Sequence, residues 1–442
     1  MKKTVSLILA LLLTLSLVCV FVACDGTPDN VGGGDLKGTI VVWWPGGSPT
    51  TEAAIQKAKQ QYEAQHEGVT IDIRFQSTSD FYTSYNLALM GKDFPDVAYV
   101  DHVYVQRLAF DGSIANLSDY GADEQKDKFI DSLWKTTQYE GKTYALPMSA
   151  NVLTLAYNEA LLTRVLGHKL TDADMPTDWD SYMALGKKIA DYNAAHNLTG
   201  NDKLYLTTVP AGTKATSMGP MFFMAYSARE GGSLMSNDLK SMTMNSAENK
   251  RAADKIKQLA DLGYTPSDFS ESGFENGKIA FIEMGPWKLT DYSRISADKA
   301  ECDIKYAPIF PFAKGGSSQG ALGLYSLVVS KKSTKAALAA DFIKFVTTSD
   351  EIQLAHNSVQ NLMPATKTAI ADEFYKTAEW TVFVNQLNNV VARPGSAAWP
   401  AIEKTLGEYV TNIVTKSANG TSSYLDAIQI RLEEALEDLE DE

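Results

Sequence analysis

Apolar and polar positions change their period along the chain, and each change marks an element. Thr39-Ile40-Val41-Val42-Trp43 is an unbroken apolar run, which predicts a strand covered on both faces. Between Thr51 and His66, Ile55, Ala58 and Tyr62 recur on one helical face. Val69, Ile71, Ile73 and Phe75 then alternate with polar residues, as a strand does. Asp96 to Asp101, introduced by Pro95, predicts a third strand. This order predicts parallel strands joined by right-handed crossovers. Ligands bind open α/β sheets beyond the carboxyl ends of their strands. That rule points to Trp44–Ser48, to Ser77–Tyr82 and to Asp101-His102.

The middle of the chain is richer in helix. Asp178 to Tyr192 begins with a Thr177/Asp178 start signal and carries Tyr182, Leu185 and Ile189 at helical spacing. Ala247 to Leu262 predicts another helix, ended by Gly263. Phe281-Ile282 predicts a strand that runs into Gly285-Pro286. Gly320 to Ser330 passes from glycine-rich to apolar, and Ala336 to Val346 is helical. From about Ser423, Leu425, Ile428, Leu432, Leu436 and Leu439 predict a closing helix whose acidic residues form a solvated face.

Composition adds bounds. With 442 residues, 45% hydrophobic and 21% charged, the chain has material for two cores. A net charge of -14 argues against nucleic acid as a partner. The N-terminus is different in kind. Lys2 and Lys3 precede an uncharged run from Thr4 to Ala23, long enough for a signal peptide or a spanning helix. Phe21-Val22-Ala23-Cys24 then meets the polar Asp25-Gly26-Thr27-Pro28, which resembles a bacterial lipobox. Phe21 stands where Leu is usual, and Cys19 fits less well because Val18 precedes it. The expectation is a signal peptide over 1–23, lipid attachment at Cys24 and a glycine-rich tether over 24–36; an uncleaved signal anchor is the alternative. Either places the body outside the cytoplasmic membrane. Only Cys302 remains in the body, so no disulfide framework is expected. With five His and no Cys cluster, neither a metal site nor a cofactor is expected.

No phosphate loop, no H-E-x-x-H and no G-x-S-x-G elbow occurs. The aromatic residues stand out instead. Trp43-Trp44-Pro45-Gly46-Gly47, Gly285-Pro286-Trp287 and Trp399-Pro400 set rings beside chain breakers, at strand ends or before a helix. A ring there can offer a flat apolar face to the C–H face of a sugar, whose hydroxyls need carboxylates, amides, Arg or His as partners.

Ordered segments carry a resemblance to a family. They are Thr39–Trp44 with the helix and strand that follow, Phe94-Pro95-Asp96-Val97, and Gly112-Ser113-Ile114-Ala115-Asn116-Leu117. Tyr139-Glu140-Gly141-Lys142-Thr143-Tyr144-Ala145-Leu146-Pro147, Leu155-Ala156-Tyr157-Asn158, and Phe274-Glu275-Asn276-Gly277-Lys278-Ile279-Ala280 running on to Gly285-Pro286-Trp287 complete the set. From about Gly38 onward the chain resembles the extracellular solute-binding protein family 1. The resemblance implies an α/β, two-lobed, periplasmic-binding-protein-like fold of type II, with discontinuous lobes joined by a hinge. The lobes would be 37–149 with 326–372, and 150–325 with 373–442, crossing near Ser149, near Tyr325 and in Asp372–Trp380. Trp287 then resembles a sugar-stacking ring beside Gly285, and Trp399 falls where the family has another. Asn151 stands at an acidic position of the maltodextrin site, Val103 at another, and Val100 at a Trp. Gly47 and Ser48 replace a charged pair, so a ligand other than maltodextrin is implied. Arg393-Pro394 resembles a segment whose Arg reaches the cleft. Trp44, Ser48, Tyr82, Asp101, His102 and Tyr325 join the candidate ligand residues by strand-end position.

The implied role is that of a monomeric, lipid-anchored carbohydrate carrier, not an enzyme, serving the permease of an ABC importer. Two alternatives stand beside it. The same fold could hold a polyamine through Asp101 and aromatic rings. The abundant carboxylates also leave room for a glycosidase pair, although none is singled out.

Overall fold

The computed structural model describes residues 36–77, 81–91, 93–212 and 215–440. Cys19, Cys24 and the tether up to residue 35 lie outside them, and so does the side chain of Tyr82. Among the described residues no helix is long and apolar enough to cross a membrane.

The body places its strands in two main sheets. One begins with β1 (Gly38–Pro45), β2 (Val69–Gln76) and β3 (Val97–Asp101). A separate two-stranded ribbon follows, β4 (Gln138–Tyr139) and β5 (Lys142–Thr143), and then β6 (Leu146–Val152) rejoins the first sheet. The second sheet takes β7 (Thr154–Asn158), β8 (Tyr205–Thr207), β9 (Ile279–Met284) and β10 (Ile304–Ala307). The chain then returns to the first sheet with β11 (Gly320–Val329), β12 (Met363–Pro364) and β13 (Val390–Val391). The strand order is β12-β6-β11-β3-β1-β2 in the first sheet, with β13 on β11, and β10-β7-β9-β8 in the second.

β1, β2 and β3 pair in parallel, as the strand-helix order predicts. β11 runs antiparallel to both β3 and β6. The burial of β1 is less uniform than its sequence suggests. Ile40, Val42 and Trp44 are buried while the residues between them are half-buried, so one face packs more tightly than the other. β6, by contrast, is buried throughout and runs on to Val152 before the chain changes sheet at Leu153.

Local chemistry accounts for the element ends. Ser48 caps the helix Pro49–Gln65, accepting from the Thr51 N–H at 3.3 Å, with Pro49 in the first turn. Asp178 and Ser181 form a capping box on the helix Trp179–Ala195. One apolar core gathers the helices Ala215–Arg229 and Trp399–Val414 with Tyr182 and Phe281. Phe81, Tyr85, Val100 and Val328 belong to a separate core on the first sheet.

Candidate functional site

A cleft of about 870 Å³ opens where the first sheet's strand ends face elements attached to the second. From the first sheet it is lined by Trp44, Tyr99, Asp101, Asn151, Gly323, Leu324 and Tyr325. From the other side come Met218 and Met221, one helical turn apart, and Trp287 after β9. Gln360, Leu362, Arg393 and Glu403 complete the wall.

Its floor is a stack of rings. Trp44 and Tyr99 are stacked at 4.4 Å between centroids and 24° between planes; Tyr99 and Tyr325 follow at 5.2 Å and 13°. The strand order β11-β3-β1 puts these three residues on adjacent strands, so the stack follows directly from sheet register. Burial raises the Tyr99 hydroxyl well above its ordinary pKa and pushes that of Tyr325 up to about 12, so both remain neutral hydroxyls at ordinary pH.

Two of the charged groups in the cleft, Asp101 and Arg393, compensate each other. Arg393 Nη2 donates to Asp101 Oδ1 at 2.6 Å and to Oδ2 at 2.8 Å. His102 Nδ1 stands 2.9 Å from Asp101 Oδ1 and 3.1 Å from the Leu324 carbonyl, two acceptors that place the ring hydrogen on Nδ1. Burial would raise Asp101, but Arg393 and His102 outweigh it and hold the carboxyl well below the carboxylate range. Burial lowers His102, and the Arg393 charge adds to that, so His102 is neutral. Glu403 is raised by burial, against the pull of Arg393.

Trp287 supplies the exposed ring. It is 37% exposed and lines the cleft. Gly285 makes that placement possible, because a Cβ there would lie 1.8 Å from Trp287 Cζ3. Gly323 does the same for Asn151: a Cβ there would lie 2.3 Å from Asn151 Oδ1. Beside Trp287 the two walls touch, as Asn361 Nδ2 donates to Thr290 Oγ1 at 2.8 Å.

Of the residues that the sequence nominates, Trp44, Asp101, Asn151, Trp287, Tyr325 and Arg393 converge on this cleft. The others are placed elsewhere. Trp399 is fully buried, so it presents no face to a ligand; it opens a helix with Pro400 in the first turn and lies under the Arg393 guanidinium at 5.9 Å. Ser48 is spent on its helix cap. His102 is buried behind Asp101, and Gly285 acts only through the room it leaves. The side chain of Tyr82 and the predicted lipid site Cys24 lie outside the described residues.

Several lining residues are not nominated by the sequence reading, though some left a signal. Tyr99 lies two residues before Asp101 and therefore on the same strand face. Glu403 lies one helical turn after Trp399. Met218, Met221 and Gln360 have no such marker.

Comparison with known proteins gives a consistent neighbourhood. Residues 57–381 match the family model described as bacterial extracellular solute-binding protein. A maltotriose-binding protein of Pyrococcus abyssi (strain GE5 / Orsay) is 21% identical over 320 residues, 71% of this chain and 63% of that protein. An arabinooligosaccharide-binding protein of Bacillus subtilis (strain 168) is 24% identical over 273 residues, 60% of this chain and 58% of that protein. The matched part therefore spans about three fifths of each relative's length. The crystal structure of a cyclic alpha-maltosyl-1,6-maltose binding protein from Arthrobacter globiformis superposes with a TM-score of 0.77 at 21% identity, covering 91% of this chain and all of that one.

Proposed function

This chain belongs to the bacterial extracellular solute-binding proteins, and from that premise we propose that it captures a carbohydrate in its cleft and delivers it to the permease of an ABC importer. The observation that carries the reading is the cleft's chemistry. Rings line its floor and one wall, while its strongest charges are spent on each other through the Asp101–Arg393 pair. A neutral ligand with apolar C–H faces and a rim of hydroxyls suits such a surface. The open amide of Asn151 and the neutral hydroxyl of Tyr325 offer partners for those hydroxyls.

The ligand would close two lobes, one built around each main sheet, through a hinge at the chain crossings. Since β6 continues to Val152 and β11 already begins at Gly320, the bounds expected at 149/150 and 325/326 shift to about Leu153 and to the segment before Gly320. Contacts made to both walls favour the closed state, which the permease would accept. The segment 1–23 acts as a signal peptide, and Cys24 carries the lipid that holds a monomer on the outer side of the cell membrane, with residues 24–36 as tether. No catalysis is assigned. A glycosidase needs a pair of working carboxyls, and of the two in this cleft Asp101 is committed to Arg393 and His102. That commitment also argues against the polyamine reading.

Calorimetry on the purified chain tests this, with maltose, maltotriose, arabinotriose and spermidine as titrants. Saturable sugar binding without product formation is expected. Silence toward every sugar with saturable spermidine binding would replace the carbohydrate by a cation.

A further inference from the structure

Gln360 lines the cleft, and its amide spends both hydrogens on one residue. Its Nε2 stands 2.7 Å from His356 Nε2 and 3.3 Å from the His356 carbonyl oxygen. A carbonyl oxygen can only accept, so the atom facing it must be the amide nitrogen. The His356 ring nitrogen then accepts as well, which puts the ring hydrogen on Nδ1, a buried atom with no hydrogen-bond partner among the described residues. With both amide hydrogens taken, the remaining function of Gln360 is its carbonyl Oε1, an acceptor with two lone pairs.

We propose that Gln360 contacts the ligand as a one-way acceptor, held in that orientation by His356 as a positioning residue, so that the cleft selects a ligand with a hydroxyl hydrogen to donate at this point. This rests on the carbohydrate reading above and adds a specificity determinant to it. A carboxylate or phosphate oxygen has no hydrogen to offer there and would face Oε1 lone pair to lone pair. Asp101 is already paired with Arg393, and burial raises the other carboxyl of the lining, Glu403, toward its neutral form, so the donor that fits is a hydroxyl rather than an ammonium group.

The surroundings of His356 fit the task. It is 1% exposed, and its ring meets Trp44 edge-on at 5.1 Å and Tyr99 at 5.9 Å. Burial brings its pKa down to about 3, which keeps the Nε2 lone pair available at ordinary pH. The aromatic floor of the cleft thus holds His356, and His356 holds the amide. The four-residue spacing brings ring and amide together through local backbone geometry at the end of the helix Asp350–Ser358.

The test is calorimetry on the full chain with maltose, maltotriose and arabinotriose, then with monodeoxyfluoro derivatives of whichever sugar binds. Fluorine removes one hydroxyl hydrogen at a time. One derivative should bind the wild type about three- to tenfold more weakly than its parent. Gln360→Met should weaken the parent sugar by a similar factor and bind that derivative no worse than the wild type does. His356→Phe keeps a ring but removes the acceptor and should weaken the parent likewise; His356→Gln restores an acceptor near Nε2 and should recover most of the loss. Wild-type affinity in a folded Gln360→Met overturns the contact. His356→Gln as weak as His356→Phe overturns the positioning role. If no fluoro derivative is weakened in the wild type, the one-way acceptor is wrong whatever the variants do. A wild type silent toward all three sugars overturns the carbohydrate reading and this inference with it.

Discussion

Replacing Gly285 by Ala should remove the exposed ring from the cleft without disturbing the fold. The Gly285 backbone, at φ -93 and ψ 172, is extended, so an alanine meets no conformational penalty. Its methyl group, however, would lie 1.8 Å from Trp287 Cζ3 and 2.4 Å from both Cε3 and Cη2. Carbon atoms pack at about 3.5–4.0 Å, so the ring must retreat by roughly 2 Å. Its partial exposure gives it solvent to retreat into, and the cost to stability should stay within about 1 kcal/mol. The cost to binding should be larger, about 1–3 kcal/mol for losing one well-placed aromatic contact. Titration calorimetry should therefore read a Kd about 5- to 150-fold weaker, with the thermal midpoint little changed. Trp287→Ala should match that loss, and the double variant should be no weaker than Trp287→Ala alone, because both changes remove the same contact. Native affinity in a folded Gly285→Ala variant would refute the reasoning, since the ring would then bind sugar from some position that a Cβ does not obstruct.

Other consequences can be read independently. Asp101→Ala leaves the Arg393 guanidinium buried without its carboxylate, and chemical denaturation should show a loss of about 3 kcal/mol; a change below about 1 kcal/mol would mean that Glu403 or solvent takes over. Cys24→Ser should move the protein from the membrane fraction to the medium, and retention in the membrane would favour an uncleaved anchor. His356 is depressed from 6.5 to about 3, so the unfolded chain takes up a proton that the folded one refuses; stability is full above about pH 6.5 and falls toward pH 3. Relative to His356→Gln, which lacks this group, the wild type should lose about 1.4 kcal/mol per pH unit across that window, and parallel stability profiles would rule the buried neutral ring out.

The parts of the fold that sequence made legible are those where one local period decides the answer. The parallel start of the first sheet followed from Thr39–Trp43, the helix after Ser48 and the alternation from Val69 to Phe75. Chain breakers beside Trp were more ambiguous. Gly285-Pro286 does present Trp287 at the cleft, whereas Pro400 marks the first turn of a helix whose Trp399 packs inward. The two settings look alike in one dimension, and only the packing of the helix against Ala215–Arg229 separates them. The floor of the cleft was half legible, since Trp44 and Asp101 end their strands while Tyr99 joins them through cross-strand register. Gln360, in the turn after the helix Asp350–Ser358, and Glu403, on the helix Trp399–Val414, reach the cleft from far along the chain, where no strand-end rule applies.

Co-crystallisation with the tightest-binding oligosaccharide tests the central claim most directly. A sugar ring lying on Trp287, with hydroxyls on Asn151, Gln360 and Tyr325 and the Asp101–Arg393 pair intact behind it, is the predicted result. A ligand seated outside this cleft, or a cation that separates Asp101 from Arg393, would contradict it.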